Sequence, residues 1–399
     1  ALVLATLPMV ALQSTTTQTD LVVTALAVTA VFFLLGGDRN EAALAGVAVG
    51  LALGTKLTVV LVLPVLVVLA IVRLPPRRVT LAAGAALISF AAWSSWAYVR
   101  NVRETGSLLG EGVGRVEHQA DPSALGSLST AVRVLYRFLD LSGTDGLSWV
   151  TAIMASLLVT IAAGATTYVL LRRGGGPRRA ARTGGWLLLP LAAPLAVVFL
   201  AVVAHGLIAA TRLPLDPAGT TTSRFGWTIN TKADEDISFF GPLGALVILP
   251  VAAIVSLRWL RRRATPERGV LALSIPVFVV GVALTYRYNV WLGRFLLLPV
   301  AMTAPLLAGL YRRRGLAAGI AATGICWLVL VLGHNALKPV GLSGTTPVWN
   351  LTRVETFGLT FDGGPGLARA ATALDRMVAP GGCVGALLSR QTSKGRVEL

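Results

Sequence analysis

The sequence predicts an all-α polytopic membrane protein, on three observations. Of 399 residues, 55% are hydrophobic and only 13% are charged, roughly half the charged share of a soluble domain. The apolar residues fall in blocks close to the ~20 residues that a helix needs to cross a bilayer. The basic residues gather in alternate gaps between those blocks. This composition excludes a soluble globular chain, a disordered chain and a coiled coil. A β-barrel would need short alternating segments, which are absent.

Taken in order, the predicted spans begin with a partial one over Ala1–Leu12. They continue with Leu21–Gly37, Ala42–Thr55, Leu57–Val72, Val79–Val99, Leu147–Leu171, Trp186–Ala210, Phe239–Leu257, Val270–Tyr286, Trp291–Tyr311 and Gly315–Leu332, about eleven in all. Ala42–Thr55 is short enough to be tilted or half-buried. Arg39, then Arg73, Arg77 and Arg78, then the groups Arg172–Arg182, Arg258–Arg268 and Arg312–Arg314, alternate with these spans. They mark the cytoplasmic side by the positive-inside rule. The net charge of +17 is thereby a topology signal, and no nucleic-acid partner is expected. Gly174-Gly175-Gly176-Pro177 reads as a flexible cytoplasmic turn without the ending of a phosphate-binding loop.

The outer side carries long loops, 100–146 and 211–238, and most of the acids: Asp20, Glu104, Glu111, Glu117, Asp121, Asp140, Asp145, Asp216, Asp234, Glu235 and Asp236. A working surface is expected there. Residues 1–334 form the membrane domain. Residues 335–399 read as an outer tail that starts a soluble α/β domain, with a helix through Leu367, Ala371, Leu374 and Val378 and a buried strand at Cys383–Leu388. The two cysteines, Cys326 and Cys383, make no disulfide framework. The chain opens inside an apolar run without Met and ends without an evident stop, so both ends are expected to be cut from a longer protein.

Four places carry candidate chemistry. Asp20 follows the polar run Gln13–Thr19 and opens a span. The ~27 Å of helix to Asp38 puts it at the outer interface, weakly desolvated, as a dipole-favoured helix-start acid or an acid near an acceptor. Lys56 lies roughly 22 Å above Glu41, slightly submerged near the outer side. It reads as a functional cation or a snorkelling one. Arg287 and Arg294 sit in a short outer connection beside Tyr and Trp, suited to a phosphate or to interfacial anchoring. Asp234-Glu235-Asp236 could take a divalent cation or an acceptor, although adjacent acids rarely converge on one ion, and a solvated loop is the better reading. His118, His205 and His334 lack metal-ligand spacing.

The order of these features resembles the GT-C glycosyltransferases, in particular the protein O-mannosyltransferase and aminoarabinose transferase group. Pro8, Gln13–Thr19 and Asp20 look like that group's third and fourth membrane helices. Gly46–Lys56 looks like its Gly-rich helix ending in Lys. Trp96–Asn101 with Thr105-Gly106 is similar to its outer-loop head. Arg294-Phe295 with Pro299 and Pro305 resembles its late Arg-aromatic pattern. The likeness covers about Ala1 to Leu332. It departs from the group in lacking the first two helices and the first outer loop with the main catalytic acid. Two further helices would approach the group's usual thirteen.

The resemblance implies a multi-pass cell-membrane glycosyltransferase whose active face and tail are extracytoplasmic. A polyprenyl-phosphate sugar would be the donor, and a saccharide, lipid or protein the acceptor, with inversion at the sugar carbon. Asp20 would be a second acid. Lys56, Arg287, Arg294 and Asn101 would bind substrate. No cofactor is implied beyond a divalent cation at most. The competing class is a transporter or flippase of a lipid-linked saccharide, and a polysaccharide polymerase or ligase is a third.

Overall fold

The computed structural model describes residues 2–16, 18–107, 123–145, 169, 185–186, 188–211, 227, 229–335, 337–341, 346–359 and 364–378. It separates into two units, Ala1–His334 and Asn335–Leu399. The described residues are nearly all helical and contain no strand; Asp140 and Asn230 form an isolated bridge.

In the first unit, α1 (Leu2–Ala5) and α2 (Pro8–Gln13) precede α3 (Asp20–Gly36), α4 (Arg39–Thr55) and α5 (Leu63–Arg73). Then come α6 (Pro76–Thr105), α7 (Ala124–Tyr136), α8 (Leu189–Thr211), α9 (Gly241–Leu260), α10 (Pro266–Thr285), α11 (Leu292–Arg312) and α12 (Arg314–Gly333). Among the described residues, α6 and α8–α12 are the six helices long and apolar enough to cross a membrane. Phe199 and Val202 of α8 are each 66% exposed, as side chains facing lipid would be.

The expected eleven spans are therefore not supported. The expected Ala1–Leu12 span is broken at Pro8, which lacks an N–H and clashes with a preceding helical turn. The expected Leu57–Val72 span starts as a 3-10 turn, Leu57–Leu61, before Pro64 opens α5. The α3 and α4 helices have only 17 residues each. Leu147–Leu171 and the Gly174–Pro177 turn lie outside the described residues, Val169 apart.

Two local features position the site. The first is a tight antiparallel pair. Helix α3 ends at Gly37, whose φ of +83° suits glycine, and α4 starts at once on an Asp38–Glu41 capping box. Two helices of equal length joined by so short a turn set the beginning of α3 beside the end of α4. The second is the glycine row Gly46, Gly50 and Gly54. A Cβ at these positions would collide with Ala82 O, Ala86 O and Ser94 Oγ of α6, so α4 and α6 pack backbone to backbone. Ser89, Ser94 and Tyr98 hydroxyls of α6 donate to the Val47, Gly50 and Leu53 carbonyls at 3.0, 3.1 and 2.9 Å.

The far end of α3 is basic. Arg73 donates twice to Leu35 O, at 3.1 and 3.0 Å, and Arg78 Nη1 to Gly37 O at 2.6 Å. The cations thus cap the negative end of the helix dipole. Asp20 starts the same helix about 25 Å away at ~1.5 Å per residue.

The second unit contains α13 (Arg353–Leu359) and α14 (Gly364–Met377). The α14 helix matches the one expected through Leu367–Val378. The strand expected at Cys383–Leu388 lies outside the described residues, so the outer α/β domain is not supported.

Candidate functional site

The antiparallel α3–α4 pair brings Asp20 and Lys56 together. Lys56 caps α4 in an extended conformation, φ −159°, and its Nζ lies 2.5 Å from Asp20 Oδ1. Arg294, on the first turn of α11, places Nε 3.7 Å from Asp20 Oδ2 and donates through Nη1 to Asp236 Oδ1 at 2.7 Å. The Phe295 ring supports both cations, with its centroid 4.5 Å from Lys56 Nζ and 5.5 Å from the Arg294 guanidinium. Two cations face two carboxylates, so the cluster is balanced in charge.

A polar rim holds it. Gln18 Nε2 donates to Asp236 Oδ1 at 2.8 Å, while Gln13 Nε2 donates to Gln18 Oε1 at 2.9 Å and to Glu235 O at 2.7 Å. Donor capacity is left over. Lys56 has three N–H groups and spends one on Asp20. Arg294 Nη2 makes no hydrogen bond among the described residues, and neither do the buried Arg294 Nε and Asp20 Oδ2.

Asp20 is not the weakly desolvated interfacial acid that helix length implied. It is 2% exposed, because Lys56 and the Arg294 turn close over it. Asp234, Glu235 and Asp236 do not converge on a cation. Asp234 Oδ1 accepts from the Asp236 N–H at 2.7 Å, and Asp236 turns to Arg294 and Gln18. Among the described residues no group of three His, Cys, Asp or Glu could hold a metal. Arg287 has a buried Nε without a hydrogen-bond partner among the described residues, and Asn101 lies on α6, where its carbonyl accepts from Thr105 Oγ1 at 2.7 Å. The Gly-rich stretch before Lys56 is a packing face against α6.

Sequence reasoning passed over Gln13 and Gln18, which stand five apart in the polar run, and over Asp236 as the partner of Arg294. It also passed over Asp140, which is completely buried. Burial pushes the Asp140 carboxyl above the ordinary carboxylate range, opposed by hydrogen bonds from Ser142, Gly241 and Asn230 and by the charge of Arg137.

An apolar cavity of about 550 Å³ opens between α4, α5 and α6, lined by Leu53, Leu57, Val60, Leu66, Leu87 and Tyr98 among others. Leu57, which follows Lys56 in the chain, lines it, whereas Asp20, Lys56, Asp236 and Arg294 do not.

Fold and site together define a class: a multi-helix membrane protein with a half-buried ion cluster around a buried aspartate. Residues 1–194 match the model of glycosyltransferase family 87, a membrane family of the GT-C type. The matched segment contains Asp20, Lys56 and Asn101, whereas Asp236, Arg287 and Arg294 lie beyond it. No curated protein and no solved structure matches the chain.

Proposed function

We propose that this chain is an integral membrane glycosyltransferase that moves a sugar from a polyprenyl-phosphate donor to an acceptor hydroxyl on the extracytoplasmic face, with inversion. The observation that carries this reading is the pair Lys56 and Arg294, with N–H groups to spare, Lys56 lying within the segment that matches a glycosyltransferase family. The cavity suits a prenyl chain and the cations suit its phosphate.

In a single displacement the acceptor oxygen bonds to the sugar carbon as the bond from that carbon to the phosphate oxygen breaks. The electron pair of that bond leaves with the polyprenyl phosphate, which takes up the proton of the acceptor hydroxyl, and Lys56 and Arg294 stabilise the charge that develops there. Asp20 holds both cations, and its Oδ2 orients the acceptor hydroxyl. Arg287 is a further candidate for the phosphate and Asn101 a further candidate for substrate binding. Saccharide, lipid and protein acceptors all offer the required hydroxyl.

The test uses intact protein in liposomes with a radiolabelled polyprenyl-phosphate sugar, scoring donor binding and product separately. Transfer by the wild type, lost in Lys56→Ala and Arg294→Ala, is the expected result. A wild type that moves the lipid across the bilayer without ever releasing polyprenyl phosphate would establish the flippase instead. The face is checked in cells: a cysteine at Ser123 should react with a membrane-impermeant reagent, and one at Gly175 should not.

A further inference from the structure

Asp140 lies outside the ion cluster, yet it grips the loop that supplies Asp236. Its Oδ1 accepts from Ser142 Oγ at 2.6 Å, Ser142 N at 3.3 Å and Asn230 Nδ2 at 3.2 Å. Its Oδ2 accepts from the N–H groups of Phe239 at 3.2 Å and Gly241 at 2.9 Å. Asn230 and Gly241 are the two ends of the segment that carries Asp234-Glu235-Asp236, so one buried carboxylate ties both ends together. Adjoining contacts complete the grip. Leu141 N–H donates to Asn230 O at 2.9 Å and Gly143 N–H to Thr231 O at 2.8 Å. Arg137 Nη2 holds the middle of the loop through Ile237 O at 2.6 Å, one residue from Asp236.

We propose that Asp140 is a positioning residue for the ion cluster. It closes the 230–241 loop so that Asp236 meets Arg294, which in turn aims the remaining N–H groups of the guanidinium. A carboxylate is suited to this because both its oxygens accept. An asparagine offers one accepting oxygen and turns donors toward donors on its other side. The proposal rests on the transferase reading for its catalytic consequence, while the loop closure itself does not.

Two readouts separate the two. The first is tryptic cleavage after Lys232, an exposed residue of the clamped loop, followed by mass spectrometry on intact protein in detergent. Asp140→Asn should raise the cleavage rate at Lys232 roughly tenfold by local opening and leave cleavage after Arg103 unchanged. The second is transfer from the polyprenyl-phosphate sugar. Asp140→Asn should lower kcat roughly 10- to 100-fold, the scale for a slightly misplaced group. In an Asp236→Asn background the same change should cost no more than about twofold, because both act on Arg294. Effects that multiply in the double variant, or an unchanged Lys232 cleavage, overturn the proposal. Should Asp140→Asn fail to fold, Asn230→Ala keeps the carboxylate and removes one donor. It should show the same pattern at smaller size, and its absence overturns the proposal equally. A wild type without transfer removes the transferase reading, and cleavage at Lys232 still decides the clamp.

Discussion

Two buried carboxylates, Asp20 and Asp140, meet burial in opposite ways. Asp140 is saturated: five hydrogen bonds, three of them from backbone N–H groups, occupy both of its oxygens. Asp20 is paired with Lys56 through one oxygen, while the other, 3.7 Å from Arg294 Nε, has no hydrogen bond. The first arrangement holds a loop closed and leaves nothing for a ligand. The second keeps cations together in a partly satisfied state, which a substrate can complete. A saturated buried polar group rigidifies, and an unsaturated one marks where chemistry is expected.

The largest break in this comparison should come from the cations. In the proposed transferase, Lys56→Ala or Arg294→Ala removes a charge-assisted contact to the leaving phosphate. Each should lower transfer by roughly two to three orders of magnitude in the liposome assay, with the protein still folded. Near-normal transfer by both variants would reduce the two residues to interfacial anchors.

Next in size is a contrast in stability. Asp140→Ala strands the Phe239 and Gly241 N–H groups in the interior, and unsatisfied buried donors cost about 1–3 kcal/mol each. Thermal unfolding in detergent should therefore shift down clearly. Asp20→Asn leaves Lys56 and Arg294, each with 23% of its side chain exposed, able to reach water, and should cost about 1 kcal/mol or less. Equal shifts would erase the distinction between the two carboxylates.

Asp20→Asn sharpens the comparison from the other side. If the proposed transferase reading holds, donor binding should survive, since the cations remain, while turnover falls roughly 10- to 100-fold as the acceptor hydroxyl loses its orienting oxygen. A matching loss of donor affinity would move Asp20 from the acceptor to the phosphate.

The smallest effect is a pH dependence. The Asp140 pKa is raised on folding. Its contribution is therefore fully present below the unfolded value of about 3.9 and is lost as pH rises through the higher folded value. Over that window the melting temperature of the wild type should fall relative to Asp140→Asn. Parallel curves would mean that the raised pKa has no share in stability.

How much of the site was legible differs from residue to residue. Lys56 stood out because it interrupts apolar sequence, where an ionisable side chain is expensive, and Asp20 because it opens a span directly after a polar run. Their pairing follows from lengths already in the sequence: two 17-residue helices around a Gly-Asp turn bring first residue to last. Arg294 stood out by its place beside Phe295 in a short connection. Asp236 and Asp140 did not, because acids in outer loops are ordinary and nothing local distinguishes a buried one.

By itself the sequence determined the helical membrane class, the basic end of the helices and the residues whose charge is costly where they sit. These depend on composition and on periodicity along the chain, which are local quantities. The tertiary structure alone decided that Asp20 is buried, that the glycine row before Lys56 packs against α6, and that Asp140 closes a loop whose ends lie 90 and 101 residues away. Burial and hydrogen-bond partnership belong to pairs of residues far apart in sequence, and they are set only when the helices pack.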